Sequence, residues 1–173
     1  HMARIPYFDL EQASGPLKER IGSRPPLKIY RMIAHGGDAG EGFLALGSAL
    51  LRDNELDDRL RELVILRVGI LSRADYEVHQ HKRVAERVGV PKEKVEALYD
   101  GPDAAIFDQT ERTVLRFTDQ VLFDVKAGPS LFEAVNRLLP HRQLVELLMT
   151  IGYYMMVSRF LENLEVDIEG EEL

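Results

Sequence analysis

Apolar residues recur along this chain at three- and four-residue spacing, which is the period of an amphipathic helix. No convincing run of alternating apolar and polar residues is bounded by hairpin turns. The pattern predicts eight helices, over residues 26–35, 39–52, 57–72, 75–88, 92–99, 109–125, 130–139 and 141–164. Ser130 followed by Glu133 has the spacing of a capping box. We therefore expect an all-α fold, and the short connections favour antiparallel packing of neighbouring helices.

The helix predicted over residues 57–72 is apolar around most of its circumference, which is typical of a central helix. Its one acidic residue in the middle, Glu62, shares a face with Ile65, Leu66 and Gly69. Glu62 is therefore expected to point into apolar surroundings rather than at water.

The next helix, over residues 75–88, also has charged or titratable residues on its apolar face. Glu77 and His81 lie one turn apart in the middle of that face, while His79 falls on the opposite, charged face. Buried charge is unfavourable unless it is paired. Glu77 and His81, together with Glu62, therefore form either a structural network or a proton-transfer site. In the C-terminal helix, at least one of Tyr153 and Tyr154 should also lie inside.

Composition narrows the possible functions. The 173 residues are 45% apolar, enough for one real core, and carry a formal net charge of −7. Basic residues are scattered, so nucleic acid is not an expected partner. The longest apolar run, 147–157, is shorter than the ~18 residues of a membrane span, and no signal-peptide pattern is present. The chain has no cysteine, which excludes thiol catalysis and thiolate metal sites and fits a cytoplasmic location.

The chain divides into four segments by composition. Residues 1–2 resemble a cloning remnant, and residues 3–25 are expected to be an N-terminal extension. Residues 26–166 should form the helical domain, and the acidic tail 167–173 is expected to be solvated or disordered.

The segment Arg61–Val68, followed by Tyr76-Glu77 and then His81, resembles the carboxymuconolactone decarboxylase-like family. This family belongs to the larger alkyl hydroperoxidase D-like group. The resemblance covers about residues 28–166, and its motifs are moderately specific. It implies an all-α bundle of about seven to eight helices and a homo-oligomer, commonly a trimer or hexamer.

The peroxidase branch of the group has a glutamate, a Cys-x-x-Cys motif and a histidine, and the glutamate and histidine correspond to Glu62 and His81. The two cysteine positions correspond to Ala74 and Glu77. Because both sulfurs are missing, a peroxidase or antioxidant label would not describe the chemistry of this chain. The cysteine-free branch resembles the decarboxylases, usually with tryptophan where Val78 stands here, and the lactone decarboxylases themselves are shorter.

The first functional hypothesis is a cofactor-independent lyase, or another proton-transfer enzyme, acting on a small carboxylated or lactone-type substrate. His81 would supply a proton to the carbanion left by loss of carbon dioxide, Glu77 would fix its tautomer, and Glu62 would tune its charge. Tyr76 and His35 are further candidates for substrate binding, although packing and a helix end are the alternatives.

No cofactor is expected. No metal is expected either, since His79 and His81 point about 200° apart on a regular helix and cannot chelate one ion. The second hypothesis is a non-enzymatic helical oligomer or ligand-binding protein, in which the polar cluster only specifies packing. A peroxidase is the third. The sequence leaves open whether Glu62 and His81 are in contact.

Overall fold

The structure is a computed structural model that describes residues 2–170. Nine α-helices and two short 3-10 helices, with no strand, make up the secondary structure of this range. The α-helices are α1 (Gly15–Gly22), α2 (Lys28–Ile33), α3 (Asp38–Arg52), α4 (Asp58–Leu71), α5 (Asp75–Val88), α6 (Lys92–Ala97), α7 (Gln109–Asp124), α8 (Pro129–Leu138) and α9 (His141–Leu164). The 3-10 helices are Leu10–Gln12 and Ala34–Gly36. His1 of the predicted remnant and the last three tail residues lie outside the described range.

The predicted all-α fold is confirmed, and all eight predicted helices are present with ends within two residues of the prediction. Helix α1 was missed, because it is short and begins at Gly15-Pro16. The predicted capping box at Ser130 is wrong. Helix α8 begins one residue earlier at Pro129, with Gly128 as its N-cap and no side-chain cap, because proline is well suited to the first helical position.

The described residues divide into two compact units, one of residues 2–53 with 160–170 and one of residues 54–159. In the first unit α1 and α2 pack on α3. Residues 3–25, which were predicted to be an N-terminal extension, belong to this unit.

The two chain ends meet within the first unit. The amide of Arg4 donates to the carbonyl of Leu164 at 2.9 Å, and the hydroxyl of Tyr7 donates to Asp167 Oδ2 at 2.8 Å. The amide of Lys28 donates to Glu169 Oε1 at 2.6 Å. The described start of the acidic tail is thus hydrogen-bonded, in contrast to the expected solvated or disordered tail.

Helix α4 is the central helix of the second unit, as its apolar circumference predicts. Every residue from Leu60 to Gly69 is buried, and α4 packs against both α5 and α7. Helix α7 also packs on α8, and α5 on α6. Buried side chains on α4, α7 and the segment between them form a common core, which includes Leu63, Leu66, Leu98, Phe107 and Leu115.

Helix α9 is the one described helix that is long and apolar enough to cross a membrane. The apolar run in the sequence was expected to be too short for this. Half of the most apolar window of α9 is buried inside the protein, as in the core helix of a soluble fold. Its length and composition alone are therefore weak evidence for a membrane span.

Candidate functional site

Helices α4 and α5 bring the three predicted residues together. The connection between them is short, and it includes Arg73 in a left-handed conformation with a φ of 54°. Gly69 allows the close approach of the two helices, because a Cβ atom there would lie 3.0 Å from Cγ2 of Val78. Glu62 on α4 consequently meets the inner face of α5.

His81 lies between two carboxylates. Its Nδ1 is 2.6 Å from Glu62 Oε1, and its Nε2 is 2.9 Å from Glu77 Oε1. The side chains of His81 and Glu77 are 9% and 6% exposed, and that of Glu62 is fully buried. Since both ring nitrogens face carboxylate oxygens, the imidazolium form can donate a hydrogen bond on each side.

The second oxygen of Glu62 is bound by Arg61, which extends the cluster. Arg61 Nε donates to Glu62 Oε2 at 2.8 Å, and Arg61 Nη1 donates to Asp58 Oδ1 at 2.7 Å. Arg61 is itself buried. Glu62 is therefore held from both sides by cationic groups, whereas Glu77 contacts His81 from the other side of the imidazole ring.

These contacts determine the charge of His81. Burial by itself lowers the pKa of the imidazole, but the negative charges and hydrogen bonds of Glu62 and Glu77 outweigh it and raise the pKa of His81 from 6.5 to about 10. Burial raises the pKa of the Glu62 carboxyl, yet His81 and Arg61 outweigh this effect, so that the pKa is lowered from 4.5. His81 is accordingly a cation at neutral pH and Glu62 an anion.

Two tyrosines of α9 cover the histidine. The ring of Tyr154 meets the ring of His81 edge to face, with centroids 5.2 Å apart, and Tyr153 packs on Tyr154 at 5.0 Å. Burial and the nearby carboxylates of Glu77 and Glu62 raise the pKa of Tyr154 well above 10. Tyr154 is therefore a neutral phenol beside the charged cluster. Both tyrosines are buried, whereas the sequence predicted that at least one of them would be.

His35 and Tyr76, the other predicted site residues, lie in different units of the structure. His35 belongs to the first unit, where its Nε2 is 2.7 Å from the carbonyl oxygen of Pro6 and its ring packs on Phe8. Tyr76 is buried on α5. His79 is half-buried, and its Nε2 is buried without a hydrogen-bond partner, although the helical pattern places it on the charged face. Within residues 2–170, no group of three or more potential ligands is arranged to hold a metal ion.

Arg61, Asp58 and Tyr154 are members of the cluster that the sequence analysis did not identify. A signal existed for Arg61, because an arginine inside an otherwise apolar helix must find a partner when it is buried. Tyr154 carried the weaker signal of a tyrosine within a broad apolar stripe.

The arrangement can store and deliver a proton. The imidazolium keeps its proton at neutral pH, one carboxylate orients the ring through Nδ1, and the other contacts the proton on Nε2. A buried acid with a strongly perturbed pKa is a common feature of catalytic sites. Fully satisfied buried networks also serve to fix packing.

The fold is that of the alkyl hydroperoxidase D-like proteins. With a TM-score of 0.85, the chain matches an uncharacterized peroxidase-related protein of Ralstonia eutropha JMP134 that has the alkylhydroperoxidase AhpD core; the two are 16% identical, and the match covers 99% of this chain and 94% of the other. A peroxidase-related protein of Silicibacter sp. TM1040 gives 0.76 at 16% identity, over 89% and 81% of the two chains. The apo debrominase Bmp8 gives 0.72 at 17% identity, over 93% and 86%.

The central region of the sequence also matches a known family model. Residues 37–120 match the Carboxymuconolactone decarboxylase family, which confirms the resemblance found in the sequence over a shorter range than 28–166. This range contains Glu62, Glu77 and His81. No curated protein gives a significant match. The family and its fold include enzymes, and at these low identities the similar structures establish the fold alone.

Proposed function

We propose that this protein is a cofactor-independent lyase acting on a small carboxylated or lactone-type substrate, with His81 as the proton donor. The observation that supports the proposal is the His81 imidazolium held between two buried carboxylates at 2.6 and 2.9 Å. Neither a thiol nor a bound cofactor is needed for such a reaction. Isomerisation through a carbanion would use the same groups.

In the proposed reaction, the bond between the substrate carbon and its carboxylate breaks, and carbon dioxide leaves. The electron pair stays on the substrate and is delocalised toward the carbonyl group. The resulting carbanion takes the proton from Nε2 of His81, because it is far more basic than imidazole. His81 then regains a proton from water. The negative charge of Glu77 assists this step, because it attracts the incoming proton to Nε2.

The structure suggests a different division of roles from that inferred from sequence. Glu62 contacts Nδ1 and is fixed by Arg61, so in the proposal Glu62 orients the ring and sets its tautomer. Glu77 contacts Nε2, the nitrogen from which the proton leaves. Both carboxylates contribute to the raised pKa of His81.

The direct test is release of carbon dioxide and the change of ultraviolet absorbance with 4-carboxymuconolactone. We expect wild type and His79→Gln to turn over, and His81→Gln to lose at least a hundredfold in turnover while keeping its helical circular dichroism, since general acid catalysis contributes roughly 10² to 10⁴. His79 is the matched control, because it lies two residues away on the same helix and does not contact the carboxylates. Full turnover by folded His81→Gln would reject the proton-donor role.

A silent wild type would reject this substrate and favour the non-enzymatic alternative or another substrate. A thermal-shift experiment with related lactone acids distinguishes the non-enzymatic alternative from an enzyme with another substrate. A compound that raises the melting temperature of wild type, but not of His81→Gln, would support a site at the cluster. A cluster that only specifies packing would give no such difference.

We also propose that the protein is a homo-oligomer, as the family resemblance implies. Helix α9 exposes Val145, Leu148, Met149 and Met156 on one face, and Leu148 also lines an apolar groove of about 420 Å³ with Phe117 and Phe132. Exposed apolar surface of this kind is typical of an interface.

Light scattering should give a trimer or hexamer for wild type and smaller species for Met149→Glu. Tyr99→Glu is the matched control, because Tyr99 and Met149 are equally exposed at 51% and Tyr99 lies outside the α9 face. A monomeric wild type would overturn this proposal.

A further inference from the structure

A second cavity lies in the first unit, remote in sequence from the Glu62–His81 cluster. It has a volume of about 570 Å³ and is bordered by the 3-10 helix Leu10–Gln12, helix α1, the following loop and the start of α2. This volume is within the usual range of small-molecule sites. Its wall is partly apolar, with contributions from Leu10, Ile21, Leu27 and Tyr30.

The charge of the cavity wall is opposite to that of the whole protein. Lys18, Arg24, Lys28 and Arg31 line it together with one acidic residue, Glu11, and the carboxylate of Glu169 binds the backbone amide of Lys28. The chain as a whole carries a net charge of −7. Four cations around one partly apolar cavity in an acidic protein indicate a site for an anion.

Two contacts hold the side chain of Arg31 in place. Its Nε donates to the carbonyl of Phe8 at 3.0 Å, and its guanidinium stacks over the ring of Tyr7 at 5.3 Å. The hydrogen bond at Nε and the contact of the guanidinium face with Tyr7 together fix the plane of the guanidinium. The terminal nitrogens of a guanidinium fixed in this way present the paired donors that a carboxylate accepts.

The remaining cations have different roles. Arg24 is structural, since it binds the backbone of Arg20 and the hydroxyl of Ser48, and its guanidinium lies over Tyr30 at 5.8 Å. Lys18 pairs with Glu11 at 2.8 Å, but their side chains are 47% and 82% exposed. An ion pair so exposed is weak, so an incoming anion can displace Glu11 from Lys18.

The geometry points to a binding site for an organic carboxylate with an apolar body, such as a medium-chain fatty acid or an aryl carboxylate. Its carboxylate binds Arg31, with Lys28 and Lys18 adding positive charge. Its body lies on Leu27 and Tyr30. This site is independent of the proposed lyase reaction, because none of its residues belongs to the Glu62–His81 cluster.

The test is calorimetric titration of the full chain with octanoate and, for comparison, with octanol, which has the same chain length and no charge. We expect octanoate to bind at least tenfold more tightly than octanol. Arg31→Gln should weaken octanoate binding at least tenfold and leave octanol binding unchanged. Glu11→Gln should strengthen octanoate binding, because it removes the competing carboxylate. Heteronuclear NMR should place the octanoate-induced shifts at Leu27 and Tyr30.

Arg137→Gln is the matched control, since it removes one positive charge from an exposed side chain of α8 outside the cavity. It should leave octanoate binding unchanged. Equal binding of octanoate and octanol, an equal effect of Arg137→Gln and Arg31→Gln, or no octanoate binding would each overturn the proposal. Should Arg31→Gln fail to fold, Lys28→Gln provides the same comparison with a smaller expected loss.

Discussion

Nδ1 of His81 and Oε1 of Glu62 lie 2.6 Å apart, although the two residues are separated by 19 positions in sequence. The contact joins α5 to α4, the two helices that form the centre of the second unit. Each group is buried, so each needs the other to compensate for lost hydration. The stability of the second unit is therefore coupled to the protonation of this pair.

This coupling predicts a specific dependence of stability on pH. The pKa of His81 is raised from 6.5 to about 10, so its contribution is complete below pH 6.5 and is lost as the pH rises through about 10. The pKa of Glu62 is lowered from 4.5, so its contribution is complete above pH 4.5 and is lost as the pH falls through the folded-state value. The pair should therefore stabilise the fold most between pH 4.5 and 6.5.

Urea unfolding of wild type and His81→Gln at a series of pH values measures this contribution. The difference between their free energies of unfolding should be largest in that window and should shrink toward pH 10. A difference that stays constant from pH 6.5 to 10 would show that His81 does not gain its proton affinity from folding. NMR titration of the His81 ring gives the pKa independently.

Removal of the Glu62 charge should be far more harmful than removal of the outer carboxylate of the same cluster. Glu62→Gln leaves the cations of Arg61 and His81 buried without their shared anion, so we expect a loss of about 3 to 5 kcal/mol. Asp58→Asn should cost less than about 1 kcal/mol, because the Asp58 side chain is 62% exposed. Chemical denaturation at neutral pH measures both, and equal losses would contradict the central position of Glu62.

The sequence predicted the inward direction of Glu62 and His81 but not the details of their contact. Helical periodicity shows which side of a helix is apolar, and both residues lie on such sides. The assignment of Glu62 to Nδ1 and of Glu77 to Nε2 depends on how α4 and α5 are rotated about their axes, which periodicity does not define. Tyr154, far along the chain, could be predicted as buried but not as a neighbour of His81.

The same limit explains α1 and the tail. The eight residues of α1 bury only Leu17 and Ile21, too short a repeat to stand out from the polar residues around it. The acidic residues Asp167 and Glu169 were predicted to be solvated, because their hydrogen-bond partners, Tyr7 and Lys28, lie in distant segments of the sequence. Tertiary contacts decide both cases.

The approach of α4 to α5 should depend on the missing side chain of Gly69. A Cβ atom there would lie 3.0 Å from Val78 Cγ2, and overpacking of this kind costs about 1 to 3 kcal/mol. Most of this range exceeds the roughly 1 kcal/mol that alanine gains over glycine in a helix, so Gly69→Ala should destabilise. The double variant Gly69→Ala/Val78→Ala should relieve the overpacking.

The control for this prediction is Gly42→Ala in α3. Nothing lies within 4 Å of a Cβ atom at Gly42, so its substitution should stabilise by roughly 0.5 to 1 kcal/mol through helix propensity. Thermal denaturation distinguishes the two signs. Stabilisation by Gly69→Ala would mean that the two helices separate easily and that the approach at Val78 is not required.

Helix α7 has the capping box that the sequence pattern placed on α8. The side chain of Asp108 accepts from the amide of Glu111 at 2.8 Å, and the side chain of Glu111 accepts from the amide of Asp108 at 2.9 Å. Asp108→Ala should therefore lower the free energy of unfolding by about 1 kcal/mol. Ser130→Ala should leave it unchanged, because α8 begins at Pro129 without a side-chain cap. Urea denaturation of the two variants compares them directly, and an equal loss for both would restore Ser130 as the cap of α8.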